Sequence, residues 1–268
     1  MQLILNSELK QYFSPKDDLF DKIMHLQGET FRALENRRTQ KIILDGKNYF
    51  IKQHYGIGWK EIFKNLFQLR LPIISAKNEW LAIQCLHGLN IETQIIAGYG
   101  KRGWNPASMK SFLITEELPP SITLEDFCKN WKTQPPAFQS KQKLIREVAR
   151  IARTLHENGM NHRDFYICHF LLKNTSLASL KNTDEQVCLY LIDLHRAQIR
   201  ARTPERWVIK DLAGLYFSSK DIGLTKRDLL RFIKEYRNKL LTEEFNKEPA
   251  FWQRVKQRGD KLYRKHAN

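Results

Sequence analysis

The stretch from Asn158 to Leu172, NGMNHRDFYICHFLL, sets His162, Arg163 and Asp164 in a row and places His169 five residues after the aspartate. Ahead of it, KQKLIREVARIARTLHENG has helical periodicity, and Gly159 closes that pattern as a helix C-cap. A carboxylate on a turn directly behind a long helix is both exposed and held. Asp164 is therefore placed to hydrogen-bond an incoming hydroxyl and accept its proton, with His162 and Arg163 holding the turn. Further along, Asp193 in LIDLHR ends a run of strand character.

Phosphoryl transfer gives the spacing a meaning. It needs a cation on nucleotide phosphates, metal ligands, and a carboxylate to receive the acceptor's proton. In the kinase pattern H-R-D-x-x-x-x-N the metal-binding amide stands five residues after the aspartate, the position His169 occupies here. His169 and Asp193 are then candidate metal ligands and Asp164 the candidate base.

Upstream, TFRALE, TQKIIL and NYFIKQ read as three strands joined by turns at NRR and at Asp45-Gly46. Alternation in NYFIKQ puts Phe50 and Lys52 on one face and Tyr49 and Ile51 on the other. Lys52 is thus aimed in one direction, although a strand lysine often only snorkels to water. Two helices follow: GWKEIFKNLFQLRLP, closed by Pro72, and SAKNEWLAIQCLHGLN, with Ser75 as N-cap, Gly88 near its end and Glu79 in its first turns. TQIIAGYG and KSFLITEEL read as strands, ITLEDFCKNW as a short helix, and FLLKN and VCLYLID as buried strands around a polar insert at Thr175 to Gln186. From Lys210 to the end the pattern is helical. Composition shifts near Glu117 to Pro120, which suggests a hinge.

An isolated H-R-D, or an aspartate at a strand end, arises often by chance. Their occurrence in order with Lys52 and Glu79 is the signal. Lys52, Glu79, HRDFYICHF and IDLHR in this order resemble the protein-kinase-like fold. TFRALENRRTQ, NYFIKQHYGIGWKEIFKNLFQLRLP, NEW and KDLAGLYFSS are similar to its lipopolysaccharide core heptose kinase branch.

The resemblance implies an α+β, two-lobed, protein-kinase-like fold: a small antiparallel-sheet N-lobe over 1–117 and a mainly helical C-lobe over 118–268. It implies that Lys52 bridges the nucleotide phosphates and pairs with Glu79, that Asp164 is the catalytic base, and that His169 and Asp193 hold magnesium. Asp211, in IKDLAGLYF, would brace the catalytic turn, and Glu116 joins the nucleotide-side candidates. The implied reaction moves the γ-phosphate of ATP to the 4-position of heptose I in the lipopolysaccharide inner core.

Three departures from the kinase pattern stand out. No G-x-G-x-x-G is present, and no glycine lies between Gly28 and Gly46. Arg37 and Arg38 in the NRR turn are candidates to supply cations to the phosphates instead, or they are a solvated hairpin tip. Histidine replaces asparagine at position 169, and imidazole is a softer ligand than magnesium prefers, so binding through water or a preference for manganese is expected. Asp193-Leu194-His195 replaces D-F-G, so no activation-loop switch is expected.

The composition fits this reading. In 268 residues there are 45 Lys and Arg against 29 Asp and Glu, a net charge of +16 that draws anionic partners. Apolar residues make up 42%, as in a folded globule. Cys85, Cys128, Cys168 and Cys188 form no C-x-x-C pair, which favours free thiols in a reducing compartment. MQLILNSELKQYF lacks the features of a signal peptide, and no window reaches membrane-spanning length.

A cytoplasmic enzyme working peripherally on the inner membrane is therefore expected, its lipopolysaccharide core acceptor lying at an anionic surface. The tail FWQRVKQRGDKLYRKHAN offers six cations for docking there, with Phe251 and Trp252 at headgroup level; the alternative is a solvated helix face. Trp59, Ile62, Phe63, Leu66 and Phe67, beside Lys60, Lys64 and Arg70, either pack on the small sheet or receive an acidic helical partner. The family resemblance makes an acyl carrier protein, small and strongly acidic, the candidate for such a partner. Other acceptors on the same fold (a 3-deoxy-octulosonic acid, an aminoglycoside, a protein) and a non-catalytic basic scaffold remain alternatives. No nucleic-acid motif is visible, and nucleic acid is not an expected partner.

Overall fold

The computed structural model describes residues 1–13, 18–34, 36–67, 73–180, 182, 186–238 and 249–267. Expectations that fall on Glu35, Arg70, Pro72 and Lys181 lie outside them. The chain forms two compact units, one of residues 1–84 with 94–118 and one of residues 85–93 with 119–268.

The first unit is built on an antiparallel sheet of six strands in the order β1-β5-β6-β4-β3-β2. These are β1 (Gln2–Leu5), β2 (Glu29–Leu34), β3 (Arg37–Leu44), β4 (Lys47–His54), β5 (Ile96–Arg102) and β6 (Lys110–Glu116). The strand β1 escapes the sequence reading. QLIL has no alternation, and only its pairing with β5, from Gln2 opposite Lys101 to Leu5 opposite Gly98, defines it. Two short helices, α1 (Ser7–Tyr12) and α2 (Leu19–Met24), begin at Asn6 and Asp18, whose side chains accept the amides of Leu9 and Asp21. Their Leu9, Phe20, Ile23 and Met24 form one core with Ile42, Tyr49, Ile51 and Phe112 of the sheet.

Alternation in β4 is as the sequence predicts. Tyr49 and Ile51 are buried, and Phe50 and Lys52 are half-buried on the other side. Arg37 and Arg38, expected at the hairpin tip, lie instead inside β3, opposite Leu34 and Ala33 of β2 and His54 and Gln53 of β4. The β2/β3 ladder runs to Leu34 opposite Arg37, which takes both arginines into the strand.

Helix α3 (Gly58–Phe67) departs from the expectation that its apolar face packs on the small sheet. Of its five large apolar side chains Ile62 is buried, whereas Trp59 is 51% exposed, Phe63 53%, Leu66 47% and Phe67 88%. Helix α4 (Lys77–Gly88) starts where Ser75 Oγ accepts the amide of Lys77, and Ser111 Oγ of β6 accepts the amide of Ala76. Trp80 of α4 stacks on Tyr99 of β5 at 4.4 Å, which fixes the helix rotation and turns Glu79 toward β4.

The second unit is mainly helical. It contains α5 (Leu124–Cys128), α6 (Phe138–Glu157), α7 (Ser176–Ser179), α8 (Glu205–Ser218), α9 (Lys226–Arg237) and α10 (Pro249–Ala267), with α6 against α9 and α8 against α10. Three short strands, β7 (Ser121–Thr123), β9 (Phe170–Lys173) and β10 (Leu189–Leu191), pair antiparallel, and β8 (Met160–Asn161) pairs with β11 (Gln198–Ile199). Residues 85–93, assigned by the sequence reading to the first part, belong here: Leu191 donates to Glu92 O at 2.9 Å and Thr93 Oγ1 to Leu191 O at 2.6 Å.

Along α10, Phe251 and Val255 are buried, and Trp252 packs edge-on to Tyr236. The expectation that Phe251 sits among lipid headgroups is thus corrected, because the fold uses that side chain as core. Among the described residues no helix is long and apolar enough to cross a membrane.

Candidate active site

Two ladders clamp the segments that carry the chemistry. The β8/β11 pair sets Asn161 opposite Gln198, and the β9/β10 pair sets Phe170 opposite Leu191. Ile192 N then donates to His169 O at 3.0 Å. The turn after β8 and the turn after β10 are thereby held side by side. Gly159 makes the approach possible: its φ is +76°, and a Cβ there would stand 1.8 Å from Arg200 O.

Asp211, on α8 and fully buried, accepts the amides of His162 at 2.6 Å and Arg163 at 2.8 Å. These two amides open a turn and have no ladder partner, so a buried carboxylate satisfies both. Arg163 is left at φ +75°, a conformation that only such bracing maintains. His162 is buried too and donates from Nε2 to Ile192 O at 2.9 Å; burial holds its ring below the usual histidine range, hence neutral.

Asp164 projects from this braced turn, mostly buried. Arg196 Nη1 donates to both of its carboxylate oxygens, at 2.8 and 3.1 Å. The clamp fixes the carboxylate's orientation, as a positioned base requires. The sequence reading gave Arg196 no role. A cation three residues past a strand-ending aspartate was its one available signal.

His169 Nδ1 donates to Asp164 O at 2.7 Å, which leaves Nε2 as the ring nitrogen available to a ligand. That nitrogen faces Asp193 Oδ2 at 3.4 Å. A ring nitrogen and a carboxylate oxygen at this spacing can share a cation, since neighbouring ligands of an octahedral ion with bonds of about 2.1 Å lie about 3 Å apart. His195 donates from Nδ1 to the other oxygen of Asp193, orienting the carboxylate as an outer partner orients a ligand. Asp193 itself has φ +62°, which turns its side chain back toward His169. No group of three or more His, Cys, Asp or Glu side chains forms a metal cage among the described residues. A two-donor site is the kind a magnesium ion uses when phosphates and water complete its shell. The residues present fit such an ion.

In the first unit, Lys52 Nζ donates to Glu79 Oε1, and Glu79 is 2% exposed. A buried carboxylate with one cationic partner holds that ammonium in a fixed place while the lysine, 20% exposed, still reaches solvent. Glu116, at the end of β6, lies 3.4 Å from Lys47 Nζ. Arg38 Nη1 donates to Gln27 Oε1 at 3.4 Å, on the face of the sheet edge.

Residues 21–236 match the lipopolysaccharide kinase (Kdo/WaaP) family. The chain is 44% identical over 263 residues to a Pseudomonas aeruginosa protein named lipopolysaccharide core heptose(I) kinase WaaP, covering 98% of this chain and 96% of that one. It is 49% identical over 219 residues to the protein of the same name from Escherichia coli K12, covering 82% and 81%. A solved structure described as WaaP in complex with acyl carrier protein superposes with a TM-score of 0.80 at 40% identity, covering 98% of this chain and all of that one. This chain therefore belongs to the lipopolysaccharide kinase (Kdo/WaaP) family.

Proposed function

We propose that the protein transfers the γ-phosphate of ATP to a hydroxyl of the first heptose in the lipopolysaccharide inner core, at the 4-position that the family resemblance implies. One observation carries the reading: a single braced turn presents the Asp164 carboxylate and fixes His169 with its Nε2 toward Asp193. Relatives at 44% and 49% identity named core heptose(I) kinases support the same acceptor.

Asp164 accepts the proton of the sugar hydroxyl. The freed oxygen bonds to the γ-phosphorus as the bond to the bridging oxygen of ADP breaks. Lys52, steadied by Glu79, offers its ammonium to the nucleotide phosphates. His169 and Asp193 would hold magnesium or manganese, whose charge neutralises the transferring phosphate when bound. Little covalent work is left to the protein beyond positioning and charge.

The excess of +16 and exposed cations of α10, Arg258, Lys261, Arg264 and Lys265 among them, support peripheral work at the anionic cytoplasmic face of the inner membrane. The exposed face of α3, with Trp59 stacked on Phe63 at 5.9 Å between Lys60 and Lys64, suits an acidic acyl carrier protein, the partner named for the similar solved structure. Replacing Lys60 and Lys64 by glutamate is expected to abolish co-purification of that partner; undiminished co-purification would remove α3 from the interface.

The direct test supplies ATP and purified, phosphate-free core lipopolysaccharide, and maps the product by mass spectrometry. Phosphate on the first heptose is the expected result. Phosphate on another sugar, or on protein alone, would overturn the acceptor.

A further inference from the structure

Beside the base, the second unit gathers cations around one indole. The Arg163 guanidinium lies 5.2 Å from the Trp207 ring centre, that of Arg206 5.4 Å, Lys210 Nζ 5.4 Å and the Arg200 guanidinium 5.9 Å. Arg196 adjoins them through Asp164. Two carboxylates are close, and both are engaged: Asp164 by Arg196, Asp211 by the two turn amides. Among the described residues Arg200 donates to neutral acceptors, Asn161 Oδ1 at 2.7 Å and Gln198 Oε1. Arg163 Nε and Trp207 Nε1 are buried and have no hydrogen-bond partner among the described residues. Burial first, then the neighbouring Arg163 and Arg196, holds Lys210 below the usual lysine range, and burial and Arg196 lower Arg163 likewise.

Five cations against two committed anions is a repulsive arrangement. Like charges gathered around one ring repel, the more so where water is partly excluded. An arriving anion relieves it. Indole and arginine faces provide a wall against which a flat carboxylate or a phosphate is received by a guanidinium fork. The cluster adjoins Asp164, the group that meets the acceptor hydroxyl, so the anion belongs to the acceptor side.

We propose that Arg163, Arg200, Arg206 and Lys210, arranged about Trp207, form an anion-binding subsite for an acidic group of the acceptor: a carboxylate or phosphate carried on a sugar neighbouring the one phosphorylated. The subsite deepens the heptose kinase reading and rests on it. It explains how a kinase selects one hydroxyl among many similar ones, through charge fixed at a distance from the reacting oxygen.

The test is nucleotide-free binding, which does not depend on turnover. Core oligosaccharide is titrated calorimetrically into the full chain in three forms: intact, with its carboxylates methylated, and with its phosphates removed. For the native protein one modification is expected to weaken binding at least tenfold, and which one identifies the anion. In Arg200→Gln/Lys210→Gln the intact oligosaccharide binds at least tenfold more weakly, and the same modification adds less than twofold. Arg206→Gln, at an exposed position, serves as a second variant with a smaller loss in the same direction. Equal binding of all three forms by the native protein, or an unchanged response in the variants, overturns the subsite. Absence of phosphate transfer with selective binding retained would instead overturn the kinase reading and leave the subsite standing.

Discussion

The Lys52–Glu79 pair and the turn from His162 to His169 hold functional side chains by opposite means. Lys52 is held by Glu79 across one helix–strand contact, so removing the lysine strands a buried carboxylate. The turn distributes its support: Asp211 takes two amides, Arg196 takes both oxygens of Asp164, and His169 is tied through one ring nitrogen. In the first case position and stability are the same interaction. In the second, the chemistry is carried by groups that the scaffold does not need.

That contrast breaks if Asp164→Ala costs as much stability as activity. A general base contributes about 10²- to 10⁴-fold, so single-turnover transfer should fall at least about a hundredfold, with a melting temperature within a few degrees of native. Asp211→Ala should behave as scaffold. Two buried amides lose a charged acceptor, and a cost of about 3 kcal/mol, roughly 10 °C in melting temperature, is expected by calorimetry. Lys52→Met sharpens the other side: transfer falls about a hundredfold and stability falls with it, because Glu79 is left unpaired, whereas Lys52→Met/Glu79→Leu should recover stability and not transfer.

The smallest effect concerns pH. Burial works against the charge of Asp228, but the Thr225 amide and hydroxyl and Lys141 outweigh it and hold the carboxyl below the usual aspartate range. A group so depressed adds stability at neutral pH and loses it as pH falls through its folded value. Asp228→Ala should therefore cost about 1 to 2 kcal/mol at pH 7, and melting curves of the two proteins should converge in strong acid.

What the sequence disclosed follows the same division. Lys52 and Glu79 were legible because strand alternation and a helix first turn are local patterns, and the H-R-D row and strand-ending Asp193 were legible as motifs. Arg196 was not, because its partner lies 32 residues away and nothing in the spacing says that two ladders bring the segments together. The cations around Trp207 were hidden for the same reason: α8 supplies Arg206, Trp207 and Lys210, the turn after β8 supplies Arg163, and Arg200 directly follows β11. Strand β1 failed on pattern, since QLIL reads equally as core helix or strand until its partner is known. The exposed face of α3 failed on burial, because periodicity shows that a face is apolar and not that anything covers it.

Titration of manganese into the protein with a non-hydrolysable ATP analogue, followed by electron paramagnetic resonance, examines the chelating pair most directly. Native protein should bind the metal–nucleotide with a nitrogen hyperfine coupling from His169; His169→Gln should lose the coupling, Asp193→Ala most of the binding, and Asp164→Ala neither. Binding and coupling that survive in both His169→Gln and Asp193→Ala would contradict the assignment of these two side chains.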